Sequence, residues 1–392
     1  MIILLGKNVK GIVIMVKIKY DEFGPEKILE VYDPKTKMRG FIVIHSTVLG
    51  PAKGGIRMES DVTKEEVYGL AQAMTWKCAL ADLPFGGGKS SIIADPKAKN
   101  KQEIVAAFAR AIKVICLNNY VAAPDMNMGE REIETFAKTN GDLKSITGKP
   151  LNMGGLPHEL GSTGFGVHLS TLIALKHKNI DVKESTIAIE GYGNVGQFTA
   201  KFLSKKGAKI VAISDSKGTA YFEDGFDVEK LTKIKTTTKS VINYPGCIVK
   251  TTKELFELEV DVLIPGARPE VITKTNVNNI KAKIIVEASN IPMSYEMEEI
   301  LHNKNILVIP DFVANAGGVI SSYVEYIGGN NDEAFKMIEE KITKNTQLML
   351  QHAKEKGLIP RVAALEIAKA RIKKAMIKRQ EKELKENKNN NI

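Results

Sequence analysis

From residue 185 to residue 310 the chain alternates short apolar runs with stretches long enough for a helix, and this alternation limits the fold more than any other feature. The runs STIAIE, AKIVAIS, VDVLIP, AKIIVEAS and NILVIP read as buried strands, because they are short, apolar and rich in β-branched residues. Such strands, each with room for a helix after it, specify a doubly wound parallel sheet. Gly191-Tyr192-Gly193-Asn194-Val195-Gly196 stands where the first strand turns into the helix QFTAKFLSKK, which Gly207 stops. Asp215 closes the next strand, roughly 20 residues beyond the glycines. Glycines so placed let a pyrophosphate reach the backbone, and the helix N-terminus adds partial positive charge. Asp215 would accept from a ribose hydroxyl, whereas Lys217 would meet a 2′-phosphate, so NAD and NADP both fit.

A second informative stretch, KGGIRMESDVTKEEVYGLAQAMTWKCALADLPFGGGK, runs from Lys53 to Lys89. Thr63 and Glu66 have capping-box spacing, and Val67, Leu70, Ala71, Met74, Cys78 and Ala81 recur on one helical face, with Lys77 at its edge. A lone lysine at such an edge usually carries its ammonium out to water. Lys53 and Lys89, however, flank glycine turns where the backbone approaches a ligand closely. If the three lysines converge, burial and mutual repulsion lower a lysine pKa toward the range of a base, while the charged ones bind carboxylates. A phosphate-cradling P-loop ending at Gly88-Lys89-Ser90 is excluded, because its first glycine would fall on Leu83.

The remaining chain sets the frame. A chain of 392 residues implies more than one domain. Its content of 43% hydrophobic and 26% charged residues is that of a soluble globular protein. Cys78, Cys116 and Cys247 are isolated, which points to reduced core thiols in a cytoplasmic protein and to no metal site. The apolar N-terminus is broken by Lys7, Lys10 and Lys17 and lacks a cleavage site, so no membrane span or signal peptide is expected; it would form an edge strand at most, and Met15 is the expected natural start.

ILEVY and FIVIH read as strands around a turn at Asp33-Pro34, SSIIAD as another, and 101–117 as a helix. NNYVAAPD is a strand ending at Asp125, with a helix expected to start near Asn127, whose spacing to Glu130 fits a capping box. An Asp after Pro is often only a local hydrogen-bond acceptor, but its place at a strand end in a chain with a lysine-bearing loop favours a functional acid. Residues 147–166 are rich in Gly and Pro and mark the boundary, and 318–375 read mostly as helix. The basic end RIKKAMIKRQEKELKENKNNNI has no interleaved aromatics, so it reads as a solvated helix and not as a nucleic-acid site.

These residues together resemble the glutamate, leucine, phenylalanine and valine dehydrogenase family. GPAKGGIR, MTWKCALADLPFGGGK, AAPD, ITGKP, STGFG, GYGNVG, VEASN and NAGGV occur in the family's order over most of the chain. The resemblance implies an α/β protein with an N-terminal substrate domain, here 1–155, and a Rossmann-type dinucleotide-binding domain, here 156–344, with C-terminal helices 345–392 packing back on the first. It implies a homohexamer that interconverts L-glutamate with 2-oxoglutarate and ammonia using NAD or NADP, with no metal.

By the same resemblance Lys89 is the catalytic lysine and Asp125 its acid partner. Lys77 holds the α-carboxylate, and Lys53 with Ser322 receives the side-chain carboxylate. Thr163 contacts the carboxamide; Gly191, Gly193, Asn194, Val195, Gly196 and Asp215 serve the pyrophosphate and ribose; Asn290 and Asn315 lie near the nicotinamide. Relatives that act on branched or aromatic amino acids typically have an apolar residue at the position of Lys53 and no hydroxyl at that of Ser322. Both polar groups here favour glutamate over leucine, valine or phenylalanine. Ser90-Ser91, LPHELGSTG and Met126-Asn127-Met128 depart from the family pattern and bear on coenzyme orientation and the side-chain pocket.

Overall fold

The computed structural model describes residues 18–116, 118–157 and 160–389. The expected N-terminal edge strand and the start at Met15 lie outside them. The chain divides into two compact units, one of Met1–His158, Ser322–Glu333 and Leu365–Ile392, the other of Glu159–Ser321 and Ala334–Ala364.

In the first unit the strands β1 (Lys27–Asp33), β2 (Met38–Ser46), β3 (Ala52–Glu59), β4 (Gly86–Ile93) and β5 (Tyr120–Pro124) form one sheet in the order β1-β2-β4-β3-β5. The first two pairings, β1 with β2 and β2 with β4, are antiparallel; β3 runs parallel to both β4 and β5. Helix α1 (Lys64–Leu80) covers one face, and its first turn is capped by Thr63, whose hydroxyl accepts from Glu66 N. The Glu66 carboxylate does not close the capping box; it turns to Arg57 at 2.6 Å. The opposite face carries Ile42, Ile44, Ile56 and Ile92, packed with Phe108 of α2 (Lys101–Ala111) and Phe136 of α4 (Glu130–Asn140).

Two local expectations change. The helix expected over 101–117 breaks into α2 and a short α3 (Lys113–Cys116). The helix after Asp125 starts at Glu130, with Gly129 N donating to Glu132 Oε2 at 2.9 Å. Asn127 instead has φ 62° and donates to Met58 O, so it shapes the turn and does not cap the helix.

The second unit begins with α5 (Ser162–His177) and alternates β6 (Thr186–Glu190), α6 (Asn194–Lys205), β7 (Lys209–Asp215), β8 (Gly218–Tyr221), α7 (Val228–Thr238), β9 (Ile248–Lys250), β10 (Val262–Pro265), β11 (Ile284–Val286), α8 (Tyr295–Asn303), β12 (Leu307–Ile309) and α9 (Asp311–Ala314). The sheet order β12-β11-β10-β6-β7-β8-β9 places the first strand centrally, as a doubly wound fold requires. The parallel strands are those read from the sequence; β8 and β9 add an antiparallel edge that the apolar pattern did not reveal. Three helices complete the chain: α10 (Gly317–Tyr326), α11 (Asn331–Lys356) and α12 (Pro360–Asn389).

The division between the units runs through all three of these helices, after Ser321 in α10, after Glu333 in α11 and after Ala364 in α12. The end of α10 belongs to the first unit because Glu325 accepts from Gly148 N and from the Lys149 ammonium at 2.5 Å, and because Phe85 packs edge-on against Tyr323 and Tyr326. Residues 345–364 belong to the second unit. There the Arg361 guanidinium is held by Glu287, Glu298 and Asp311. Farther along α12, Arg371 donates to Ala79 O and Leu80 O in the first unit.

Candidate active site

Side chains alternate across a strand, so register decides which residues share a face. Lys53 pairs with Gly87 and Arg57 with Ser91, which puts Lys89 on the face that carries Lys53 and Arg57. Gly55 pairs with Ala123, so Asp125, two residues on, joins the same face. Glycine is required at two of these places. A Cβ at Gly87 would lie 2.1 Å from Thr75 N of α1, and one at Gly55 would lie 2.8 Å from Asp125 Cβ. The glycines therefore let α1 and Asp125 close over the lysines.

Lys89, 6% exposed, donates through Nζ to Asp125 Oδ2. Burial pushes the Lys89 pKa down to about 7, helped by the positive charges of Arg57, Lys77 and Lys53, while Glu66 pulls it back. Contact with the Asp125 carboxylate also opposes the shift. Arg57 Nη2 stands 3.8 Å from Asp125 Oδ1, and Arg57 Nη1 2.6 Å from Glu66. Lys77 is half-buried on α1.

Lys53, 1% exposed, donates to Ala122 O at 2.8 Å and to Thr147 Oγ1 at 2.6 Å. Burial brings its pKa to about 7; the Glu325 carboxylate raises it and the Lys149 ammonium lowers it. Ser322 is half-buried one turn before Glu325 on α10, which puts the two on one helix face within the same unit as Lys53. Glu325 and the Arg57 link to Asp125 have no signal in the sequence, and Thr147 and Lys149 have none beyond their place within ITGKP.

In the second unit, Gly191 has φ 91°, and a Cβ on Gly196 would lie 2.0 Å from Gly191 O. A Cβ on Gly193, the N-cap of α6, would meet nothing within 4 Å. The loop is thus tight on its inner side and open at the helix N-terminus, with Asn194 exposed and Val195 half-buried, as a bound pyrophosphate requires. Asn315 Nδ2 donates to Asn290 Oδ1 at 2.9 Å. Thr163 lies in the first turn of α5, with Gly318 against its hydroxyl.

Asp215 is held by donors of the chain itself. Its Oδ1 accepts from Lys217 N and Ser240 Oγ, and its Oδ2 from Lys235 Nζ at 2.6 Å and Val241 N at 2.8 Å. These donors fill the four acceptor sites of a carboxylate, so a ribose hydroxyl would have to displace one of them. The turn after β7, Lys235 in the last turn of α7 and the segment that follows that helix all meet at the carboxylate. The three cysteines are free. Among the described residues no cluster of His, Cys, Asp or Glu is placed to hold a metal, and no helix is long and apolar enough to cross a membrane.

Comparison with known proteins identifies the family. Residues 154–380 match the family model described as Glutamate/Leucine/Phenylalanine/Valine dehydrogenase, and 25–141 match its dimerisation domain. A glutamate dehydrogenase of Aeropyrum pernix is 40% identical over 85% of this chain and 84% of its own. An NADP-specific glutamate dehydrogenase of Saccharolobus shibatae is 38% identical over 90% of this chain and 89% of its own. Among solved structures, the hetero-hexameric glutamate dehydrogenase of Thermus thermophilus in its leucine-bound form superposes with a TM-score of 0.79 at 27% identity, covering 90% of this chain and 89% of that one. The chain belongs to the Glu/Leu/Phe/Val dehydrogenase family, whose members are amino acid dehydrogenases.

Proposed function

We propose that this chain is a glutamate dehydrogenase that interconverts L-glutamate with 2-oxoglutarate and ammonia, using NAD or NADP. One observation carries the choice of substrate. The Lys53 ammonium is buried with two donors committed, to Ala122 O and Thr147 Oγ1, and an ammonium has three. A side-chain carboxylate would take the third and hold Lys53 as an ammonium, whereas an apolar side chain would leave it to shed its proton. The charge-assisted hydrogen bond then forgone, worth ~1.5–3 kcal/mol, disfavours leucine, valine or phenylalanine.

The first unit would bind the amino acid and the second the coenzyme, through Gly191, Gly193, Asn194, Val195 and Gly196 at the pyrophosphate and Thr163, Asn290 and Asn315 at the nicotinamide. When bound, the nicotinamide accepts the Cα hydride of glutamate. Lys77 holds the α-carboxylate, and Lys53 with Ser322 holds the side-chain carboxylate. Lys89, whose charged form burial disfavours, removes a proton from the water that adds to the iminium carbon. Asp125, in contact with Lys89, relays that proton to the departing nitrogen. Groups of this kind contribute about 10²–10⁴-fold each.

The expected assembly is a homohexamer in the cytoplasm, a reading supported by the hexameric relative and the free cysteines. The test follows absorbance of NADH and NADPH separately with 2-oxoglutarate and ammonia. Turnover with 2-oxoglutarate at least as fast as with branched-chain 2-oxo acids is expected; preference for the branched acids would reassign the chain within its family.

A further inference from the structure

A buried charge cluster in the second unit has no part in the chemistry above. Arg361, in the first turn of α12, places Nε 2.5 Å from Glu298 Oε1 and Nη2 2.7 Å from Glu287 Oε2 and 3.0 Å from Asp311 Oδ1. Its guanidinium also lies over the Phe312 ring, 5.4 Å from the centroid. Arg361 is 8% exposed, Glu287 0%, Glu298 1% and Asp311 6%. One cation facing three buried carboxylates leaves a net charge of −2 if all are ionised, which a low-dielectric interior does not tolerate. Among the described residues, Glu287 Oε1 and Glu298 Oε2 are buried without a donor. A proton on one of this pair supplies the missing donor and removes a charge.

The cluster connects directly to the asparagine pair. Asp311 N donates to Glu287 Oε2 at 2.8 Å, and Asp311 Oδ2 accepts from Ile291 N at 2.9 Å, next to Asn290. Asp311 O accepts from Asn315 N at 2.8 Å, and Asn315 Nδ2 donates to Ala288 O and to Asn290 Oδ1. The strand end bearing Glu287 and the helix start bearing Asp311 are thus both tied to one guanidinium.

We infer that Arg361 is a positioning residue for the Asn290–Asn315 pair, and that its clamp on Glu287, Glu298 and Asp311 is completed by a proton shared between Glu287 and Glu298. The pKa values of both glutamates are raised, by burial first and by the Asp311 carboxylate, with Arg361 opposing. The inference rests on the reading of Asn290 and Asn315 as nicotinamide contacts.

The test measures the dissociation constant of NADPH and NADH by quenching of protein fluorescence on the full-length enzyme, with Tm recorded for every variant. Arg361→Met is expected to weaken binding of the preferred coenzyme by about 10-fold or more, while KM for 2-oxoglutarate at saturating coenzyme changes little. Arg361→Lys keeps the charge but not the fork, and it recovers part of the loss. Glu298→Gln mimics the neutral acid and keeps coenzyme binding near the parent value, whereas Glu298→Ala loses it. A protonated-carboxyl C=O stretch in the infrared spectrum should vanish in Glu298→Gln or shift. Equal losses in Glu298→Gln and Glu298→Ala overturn the shared proton, and unchanged coenzyme binding in both Arg361 variants overturns the clamp. Asn315→Ala separates the two levels. If it weakens coenzyme binding while the Arg361 variants do not, the clamp fails and the coenzyme site stands; if it has no effect, both fall.

Discussion

The Lys53 ammonium and the Thr147 hydroxyl, 94 residues apart in sequence, lie 2.6 Å from each other in the core of the first unit. Thr147 anchors the cation on one side while leaving a direction for a ligand. Lys53→Leu should therefore remove glutamate activity selectively, by about 10–100-fold in kcat/KM, the worth of a charged hydrogen bond. Activity with norvaline should fall far less. Equal losses with the two amino acids would show that Lys53 acts on the fold and not on the substrate carboxylate.

The pH profile of deamination should report Lys89. With its pKa near 7, the acid limb of kcat/KM falls below that pH as the base becomes protonated. Arg57 is a positive charge that disfavours the ammonium, so Arg57→Gln should raise the Lys89 pKa and move the acid limb to higher pH. Steady-state rates between mildly acid and mildly alkaline pH would show it; a limb that stays in place would remove Arg57 from the electrostatics of the site.

How far this site was legible in the sequence follows from which forces write local patterns. The glycines and the alternating strands were legible because backbone clearance and burial act on neighbouring residues. Thr63 was legible for the same reason, its hydroxyl lying three residues from the amide it caps. Lys53 and Lys89 stood out only as charged residues beside glycines, and Asp125 only as an acid after a proline at a strand end; that they share one face follows from the register of β3, β4 and β5, which long-range pairing decides. Glu325 left no local mark, and Thr147 none beyond its place in ITGKP, since each acts on a partner far along the chain. The capping-box spacing at Asn127 does not cap a helix because its side chain reaches Met58 O and its backbone turns left-handed, a tertiary choice that overrides the local pattern.

Coenzyme preference should depend on Lys235. Its ammonium neutralises Asp215 at 2.6 Å, so the carboxylate neither attracts a ribose hydroxyl freely nor repels a 2′-phosphate. Lys235→Met frees that charge and should shift the ratio of kcat/KM from NADPH toward NADH by about 10-fold, the scale of one ion pair in a partly buried site. Measured with both coenzymes at fixed 2-oxoglutarate and ammonia, an unchanged ratio would place the discrimination elsewhere.

Acid should destabilise both units through buried histidines. His45 lies between Tyr68 and Trp76 with Nδ1 at 2.9 Å from Thr75 Oγ1, and His168 stacks on Phe165. Burial lowers each pKa from 6.5 to about 4. The unfolded chain then takes up protons that the folded chain refuses, so stability is full above pH 6.5 and falls as pH drops toward 4, by up to about 3 kcal/mol per histidine. His168→Phe keeps the aromatic packing and removes this term from the second unit. The drop in Tm between pH 7 and pH 5 should therefore be smaller in His168→Phe than in the parent; the same drop in both would mean that His168 does not govern the acid response.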